Sequence, residues 1–264
     1  LGPPRSIDPV AGYMAGDRAM VSDDCRWLAI AQKESGVVRL LQPDHENTDP
    51  NVINGLMNVA YLALSADGRY LAAGPHNGGP LAIAELRAPG KTRLLDAGFA
   101  VVPAFSPDGR WLLAGVSDQV RHLGHYRVYE VGAWSLRHEL ACDERAGGGW
   151  PAAAFSPDSR LAAIVPAMGK VRLVDTRDWS ELATLEPPDL QIITRLAFSA
   201  DGGWLAVACE SNRVQLWDLR SVRRQLRGMK LDWDLPPYPA APTSDDEAAE
   251  TEVLLGELAK AVAP

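Results

Sequence analysis

Cysteine is scarce in this chain and follows no pattern. Cys25, Cys142 and Cys209 are an odd set without Cys-x-x-Cys spacing, which argues against a disulfide framework or a thiolate zinc knuckle and fits a reducing compartment. A run of 18 apolar residues is missing, as is a basic-then-apolar leader, so neither a membrane span nor a signal peptide is expected and the location is read as cytoplasmic. Positive charge is also short: 26 Lys and Arg stand against 34 Asp and Glu, for a net charge of −8. Residues 243–264 hold Asp245, Asp246, Glu247, Glu250, Glu252 and Glu257 against Lys260, which puts −5 there and leaves −3 on the rest. A body so close to neutral lacks the basic surface that nucleic acid requires, and none is expected as a partner. Gly-x-Ser-x-Gly, a phosphate loop, His-Glu-x-x-His and the protein-kinase motifs are all missing. Because the chain starts at Leu1 with the linker-like "LGPPRSIDP", it is expected to be part of a longer protein.

What is abundant is apolar residues, at 47%, together with 20 prolines and 23 glycines over 264 residues. This composition supports one sizeable core threaded by many short turns. A repeat organises it. The pattern Ser-x-Asp-x-[Arg/Gly]-[aromatic/Leu]-[Leu/Ala] begins at Ser22, Ser65, Ser106, Ser156 and Ser199, in steps of 43, 41, 50 and 43 residues. Its clearest copy, "AFSPDGRWLLAG" at 104–115, places Ser106, Asp108 and Arg110 side by side in a way that suggests catalysis. Five copies flanked by short apolar runs are instead hairpins: Pro107 presets φ, and Gly109 supplies a left-handed turn position. Asp24, Asp67, Asp108, Asp158 and Asp201 are accordingly read as turn residues.

A third strand follows each hairpin as apolar-x-apolar-x-acid, ending at Glu85, Glu130, Asp175 and Asp218, with the first copy ending at Gln42. Fourth strands are predicted at 135–140, 180–185 and, more weakly marked, 91–95. Four strands per unit of about 40 residues make the blade of a β-propeller. Over residues 18–220 the chain resembles the WD-repeat propellers, with the name-giving dipeptide at Trp217-Asp218 and only the acid kept in the other copies. The family's Gly-His before each first strand is missing, since Gly124-His125 falls between a second and a third strand. The resemblance implies an all-β propeller of five recognisable repeats, either a closed ring or a fragment of a larger one. It implies a non-enzymatic scaffold for a protein or peptide partner, without cofactor or metal. It also implies that the family's bracing hydrogen-bond tetrad is mostly incomplete here, so that packing between blades carries more of the stability. The alternatives are a periplasmic TolB-type propeller, which shares the "FSPDG" hairpin but lacks the acid-plus-strand run "DTRDWSELATL" at 175–185, and a propeller hydrolase or quinone-dependent dehydrogenase.

Residues 1–17 read as a linker or partial strand, 221–242 as a helix with a Pro-rich extension, and 243–264 as an acidic helix, mobile by default. Leu219, Val222, Leu226 and Met229 form one predicted helical face, with Arg223, Arg224, Arg227 and Lys230 beyond it. The ending "LRSVRRQLRGMKLDWDLPPYP" resembles the close of large bacterial proteins in which a WD-repeat ring follows a serine/threonine kinase domain. That implies a regulatory or sensing role for activity housed upstream. In the tail, Ser244-x-x-Glu247 is a capping box, and Leu254, Leu255, Leu258 and Val262 make an apolar stripe.

The 50-residue step arises from two long loops in the third repeat, Ser117–His125 and Ala141–Trp150, predicted side by side on the face opposite the hairpin turns. Loops on a rigid scaffold are where binding resides, so Asp118, Arg121, His122, His125, Asp143, Glu144, Arg145 and Trp150 are the candidate binding residues. Asp118 with His122-x-x-His125 invites a metal reading, but two loop histidines three apart are more often solvated. "DHENTDPN" at 44–51 lacks the spacing of a calcium loop and reads as a solvated connection.

Overall fold

A computed structural model describes residues 19–239 apart from 23–24, 33–35, 43–50, 54–55, 57, 89–90, 119–122, 143–150, 188–189 and 212. The described chain is a five-bladed β-propeller, nearly all β, with a short C-terminal helix. Blade 1 holds β1 (Ala19–Val21), β2 (Leu28–Gln32), β3 (Val37–Leu41) and β4 (Asn51–Ile53). Blade 2 holds β5 (Val59–Leu64), β6 (Tyr70–Pro75), β7 (Gly79–Glu85) and β8 (Thr92–Gly98). In blade 3 the strands are β9 (Ala100–Phe105), β10 (Trp111–Asp118), β11 (Leu123–Glu130) and β12 (Ser135–Ala141). In blade 4 they are β13 (Ala153–Phe155), β14 (Leu161–Ala167), β15 (Lys170–Asp175) and β16 (Glu181–Leu185). Blade 5 has three strands among the described residues, β17 (Ile193–Phe198), β18 (Trp204–Cys209) and β19 (Arg213–Asp218), and runs directly into α1 (Leu219–Gly228). Within each blade the strands pair antiparallel in sequence order.

Among the described residues, the four interfaces from blade 1 to blade 5 each carry a hydrophobic core. One cluster joins blades 1 and 2 through Ala29, Val38, Leu62 and Leu71, and a second joins blades 2 and 3 through Leu81, Ile83, Leu112 and Val116. A third joins blades 3 and 4 through Leu113, Tyr126, Ile164 and Val174, and a fourth joins blades 4 and 5 through Leu173, Leu205 and Val207. The middle strands of blades 2 and 4, β6 and β14, are therefore buried along their whole length and read as continuous apolar runs. A strand covered on both faces has no polar side to alternate.

The five hairpin turns share one construction. The residue three beyond each serine donates its N–H back to the serine carbonyl and lies in the left-handed region: Cys25, Gly68, Gly109, Ser159 and Gly202, with φ between 56° and 72°. Gly109→Val is expected to lower stability by about 1–2 kcal/mol, because a β-branched side chain is forced into that region. Space is not the obstacle, since a Cβ there meets nothing within 4 Å. A shift in urea midpoint with unchanged binding per folded molecule is the expected result.

The turns joining third to fourth strands are a second repeated device. Trp134 and Trp179 adopt φ of 55° and 62° and donate N–H to Glu130 and Asp175 carbonyls at 2.7 Å. Their rings meet the hairpin aromatics of the preceding blade edge-on, Trp134 against Tyr70 at 4.9 Å and Trp179 against Trp111 at 5.8 Å. Such pairs add about 0.5–1.5 kcal/mol beyond burial, so the joints of blades 2–3 and 3–4 each gain an aromatic clasp. Arg69 and Arg110 lie over the same aromatics, 4.9 and 5.4 Å from the ring centroids.

Three expectations are corrected. The fourth strand of blade 1, unmarked in the sequence, is the three-residue β4. The supposed loop at Ser117–His125 is mostly paired strand, since Ser117 pairs with Gly124 and Asp118 with Leu123. Helix α1 ends at Gly228, so Met229 caps it and is 59% exposed, while Arg223, placed beyond the apolar face with the other cations, is only 4% exposed. The turn of the chain after Gly228 removes Met229 from the apolar stripe.

Candidate interaction surfaces

On the turn face the suspicious Ser-x-Asp pairs are consumed by structure. Ser65, Ser106, Ser156 and Ser199 each donate Oγ–H to the aspartate two residues on at 2.6 Å. Each serine Oγ also accepts the N–H of the first residue of the following strand. The aspartates Asp67, Asp108, Asp158 and Asp201 accept the N–H two residues further on. In blade 1 the N–H of Trp27 goes to Ser22 in the same way, while Asp24 lies outside the described residues. Ser159 adds a bond between blades, accepting the Asp108 N–H at 2.9 Å. A serine whose hydroxyl both donates to the turn carboxylate and accepts a strand N–H is held in the turn by structural hydrogen bonds.

The fifth copy departs from the pattern at Gly203, where the other described copies carry arginine, and the structure supplies the reason. Arg220, in the first turn of α1, fills the vacated place: a Cβ on Gly203 would lie 2.0 Å from its guanidinium. There it pairs with Asp201. The Ser199 hydroxyl, the Gly203 N–H and Arg220 together hold the Asp201 carboxyl down at about 2. Asp218 caps the helix, accepting from Arg220 N–H at 3.0 Å and from the Ser221 hydroxyl. Thus the acid of the Trp217-Asp218 dipeptide turns the last strand into the helix.

The segment after α1 folds back as a strap around Arg223. This guanidinium pairs with Asp232 at 2.9 Å and donates to the carbonyls of Trp233, Leu235 and Pro236 at 3.1, 2.7 and 2.6 Å. It also lies over the Trp233 and Tyr238 rings, 5.4 and 5.6 Å from their centroids. Burial pushes the Tyr238 hydroxyl up to about 12, and Arg223 holds the Asp232 carboxyl below its ordinary range. Between strap and turns remains a cavity of about 270 Å³ bordered by Asp158, Asp201, Tyr238 and four prolines.

The blade 3 candidates separate into strand roots and residues beyond them. His125 lies on β11, half-buried and paired in register with Ala141, and Asp118 ends β10. Cys142 donates its N–H to the Gly124 carbonyl at 3.2 Å, which sets the root of the second loop against the hairpin. Arg121, His122, Asp143, Glu144, Arg145 and Trp150 lie outside the described residues. No metal-holding cluster of His, Cys, Asp or Glu occurs among the described residues.

Blade 5, whose β pattern in the sequence stops after its third strand, presents a further surface outside the candidate binding residues. Among the described residues the outer edge of β19 carries no fourth strand. Beside it runs a groove of about 550 Å³ lined by Pro187, Gln191, Arg213 and Val214 through Trp217. Val214 and Leu216 are 63% and 66% exposed. Trp204 occupies the place held by Tyr70 and Trp111 in blades 2 and 3, but is 38% exposed. The available signal was the Trp-Ser dipeptide at Trp134 and Trp179, which has no counterpart after Asp218. No helix among the described residues is long and apolar enough to cross a membrane.

Comparison with known proteins agrees with this architecture. The family described as "WD domain, G-beta repeat" matches residues 179–218. A relative, WD repeat-containing protein 82 of Drosophila melanogaster, is 26% identical over 139 residues, covering 51% of this chain and 42% of its own length. The chain thus spans less than half of that relative. Among solved structures, Kuenenia stuttgartiensis hydrazine synthase aligns with a TM-score of 0.64 at 14% identity, covering 79% of this chain and 66% of that one. At that identity the likeness concerns the fold alone. The family match and the Drosophila relative support a WD-repeat propeller.

Proposed function

We propose that this propeller is a non-enzymatic binding module whose partner surface lies on the loop face of blade 3. The observation that carries the reading is the length and pairing of the β10–β11 hairpin. Its two strands are eight residues each, longer than any other strand among the described residues, and the Cys142–Gly124 hydrogen bond holds the root of the second loop against it. The sequence puts Asp118, Arg121, His122 and His125 in and around the first of these connections and Asp143, Glu144, Arg145 and Trp150 in the second. Mixed charge with one large aromatic suits a protein or peptide partner. The turn face is occupied by its own hydrogen bonds, which favours binding over catalysis.

Exchanging 119–122 and 143–150 for short Gly/Ser turns is expected to abolish retention of the partner while leaving the thermal midpoint within a few degrees. Proteins captured by the full chain and lost by the exchanged one support the reading; an identical captured set refutes it.

A second reading is favoured by the C-terminal unit. The helix and its Arg223-centred strap form a built closing element in the segment whose sequence resembles the end of bacterial proteins that carry a kinase domain before the propeller. On that reading the binding surface serves as the recognition region of the kinase. Kinase motifs in the reading frame before Leu1 decide for it, and their absence decides against it.

A further inference from the structure

In blades 1 to 4 the two apolar residues of the apolar-x-apolar-x-acid strand, or of its first copy ending at Gln42, are packed under the next blade. Val38 and Leu40 in blade 1 and Leu81 and Ile83 in blade 2 lie in these joints, none more than 5% exposed. Tyr126 and Val128 in blade 3 and Val171 and Leu173 in blade 4 are buried in the same way. The corresponding pair of blade 5, Val214 and Leu216, is 63% and 66% exposed, and Trp204 on the same face is 38% exposed.

Blade 1 shows the converse on the side away from blade 2. Val21 stands opposite Leu28, as Leu64, Phe105, Phe155 and Phe198 stand opposite the matching residues of the later blades. Those four pack into the joint with the preceding blade, whereas Val21 is 51% exposed. The first strands touch in turn, β1 with β5, β5 with β9, β9 with β13 and β13 with β17. No comparable contact joins β17 to β1 among the described residues. The seam between blades 5 and 1 therefore leaves two apolar blade faces open, and exposed apolar surface of this kind marks a place of docking.

We propose that the seam is filled by further four-stranded blade structure of the same polypeptide, from the part that precedes residue 1, so that these five blades are an arc of a larger ring. The surface is separate from the blade 3 loops, and the proposal stands or falls apart from them.

Chain order selects this occupant. Blades 2 to 5 are each covered on one face by the blade before them in sequence, so the blade that covers Val21 precedes blade 1. An arginine selects its strand number. Arg127 of blade 3 donates to the Asp96 carbonyl on β8 at 2.8 Å, and Arg172 of blade 4 donates to the Ala141 carbonyl on β12 at 3.3 Å. Each thus reaches back to the fourth strand of the preceding blade. Arg39 holds the same register position, opposite Ile30 as Arg127 is opposite Ala114 and Arg172 opposite Ile164, and it is exposed. Blade 5 has no fourth strand among the described residues, so blade 5 of a second copy would offer Arg39 no such carbonyl. A preceding four-stranded blade supplies it.

The test compares the 264-residue chain with the full-length polypeptide, each carrying Cys25→Ser and Cys142→Ser. A cysteine is introduced as Val21→Cys, as Leu216→Cys or, for a control on the edge of blade 3, as Leu136→Cys, where the leucine is 47% exposed. Maleimide labelling at each site is followed by peptide mass spectrometry. In the full-length polypeptide both seam sites are expected to label roughly tenfold or more slowly than in the 264-residue chain, because burial shields a thiol. The control is expected to label at the same rate in both. Equal rates at the seam sites in both proteins, or protection of only one of them, would overturn the proposal. So would a start of translation too close to Leu1 for a blade of about 40 residues. Protection already present in the 264-residue chain and rising with its concentration would assign the seam to a second copy instead.

Discussion

Arg223→Ala is expected to destabilise the protein by about 3–5 kcal/mol, the loss typical when one partner of a buried ion pair is removed. The arginine is 4% exposed, and its guanidinium makes five hydrogen bonds, to Asp232 and three backbone carbonyls. Without it Asp232 keeps only Arg227, whose side chain is 64% exposed, and the carbonyls of Trp233, Leu235 and Pro236 lose a charged donor. Water cannot replace a planar fork in that space without opening the strap. Arg223→Lys retains the charge but offers a single nitrogen, so more than half of the loss is expected to remain. Leu219, Trp233 and the half-buried Val222, Leu226 and Leu235 belong to the same core as Leu173 and Leu205. Opening the strap therefore weakens the joint between blades 4 and 5 as well. Urea unfolding followed by Trp fluorescence checks this, and a loss below about 1 kcal/mol would show the strap to lie outside the cooperative unit.

Arg223 also marks where sequence reasoning reached its limit. In "RSVRRQLRGMK" a basic residue off the apolar stripe reads as solvated, and its burial depends on carbonyls from Trp233 to Pro236. Backbone acceptors leave no trace in composition. The turn motif, by contrast, was fully legible, because Ser106, Asp108 and Gly109 satisfy one another within four residues and the same solution recurs in blades 2 to 5. Long-range partners explain the other differences. Gly203 breaks the repeat because Arg220, seventeen residues later, takes the place of the missing arginine. The β4 strand was hidden because three residues cannot establish a period-two alternation. The adjacency of the blade 3 loop roots and the three-stranded last blade were readable from strand direction and the end of the β pattern, whereas the groove beside the blade 5 edge depends on Pro187 and Gln191, which no local pattern brings there.

A valine at Gly115 is expected to separate blades 3 and 4, at a cost of about 3 kcal/mol or more. Gly115 is buried in the middle of β10, and its cross-strand partner on β11 is Tyr126. The tyrosine is fully buried, and burial pushes its hydroxyl well above its ordinary range. That hydroxyl accepts the Val165 N–H at 2.9 Å and donates to the Ala152 carbonyl at 3.0 Å, so one side chain of blade 3 satisfies two backbone groups of blade 4. A Cβ at Gly115 would stand 2.9 Å from the Tyr126 ring and 2.3 Å from the Pro151 carbonyl oxygen. The ring cannot retreat without giving up both hydrogen bonds, and the carbonyl is backbone. Tyr126→Phe alone is expected to cost about 1–3 kcal/mol, since it leaves the Val165 N–H buried without an acceptor. Because both substitutions break the same contact, the double variant is expected to lose less than the sum of the two, by at least about 0.5 kcal/mol in a denaturation cycle. Strict additivity would mean that the glycine and the tyrosine act at separate places, and the blade 3–4 joint would then have to rest on the Trp111–Trp179 clasp.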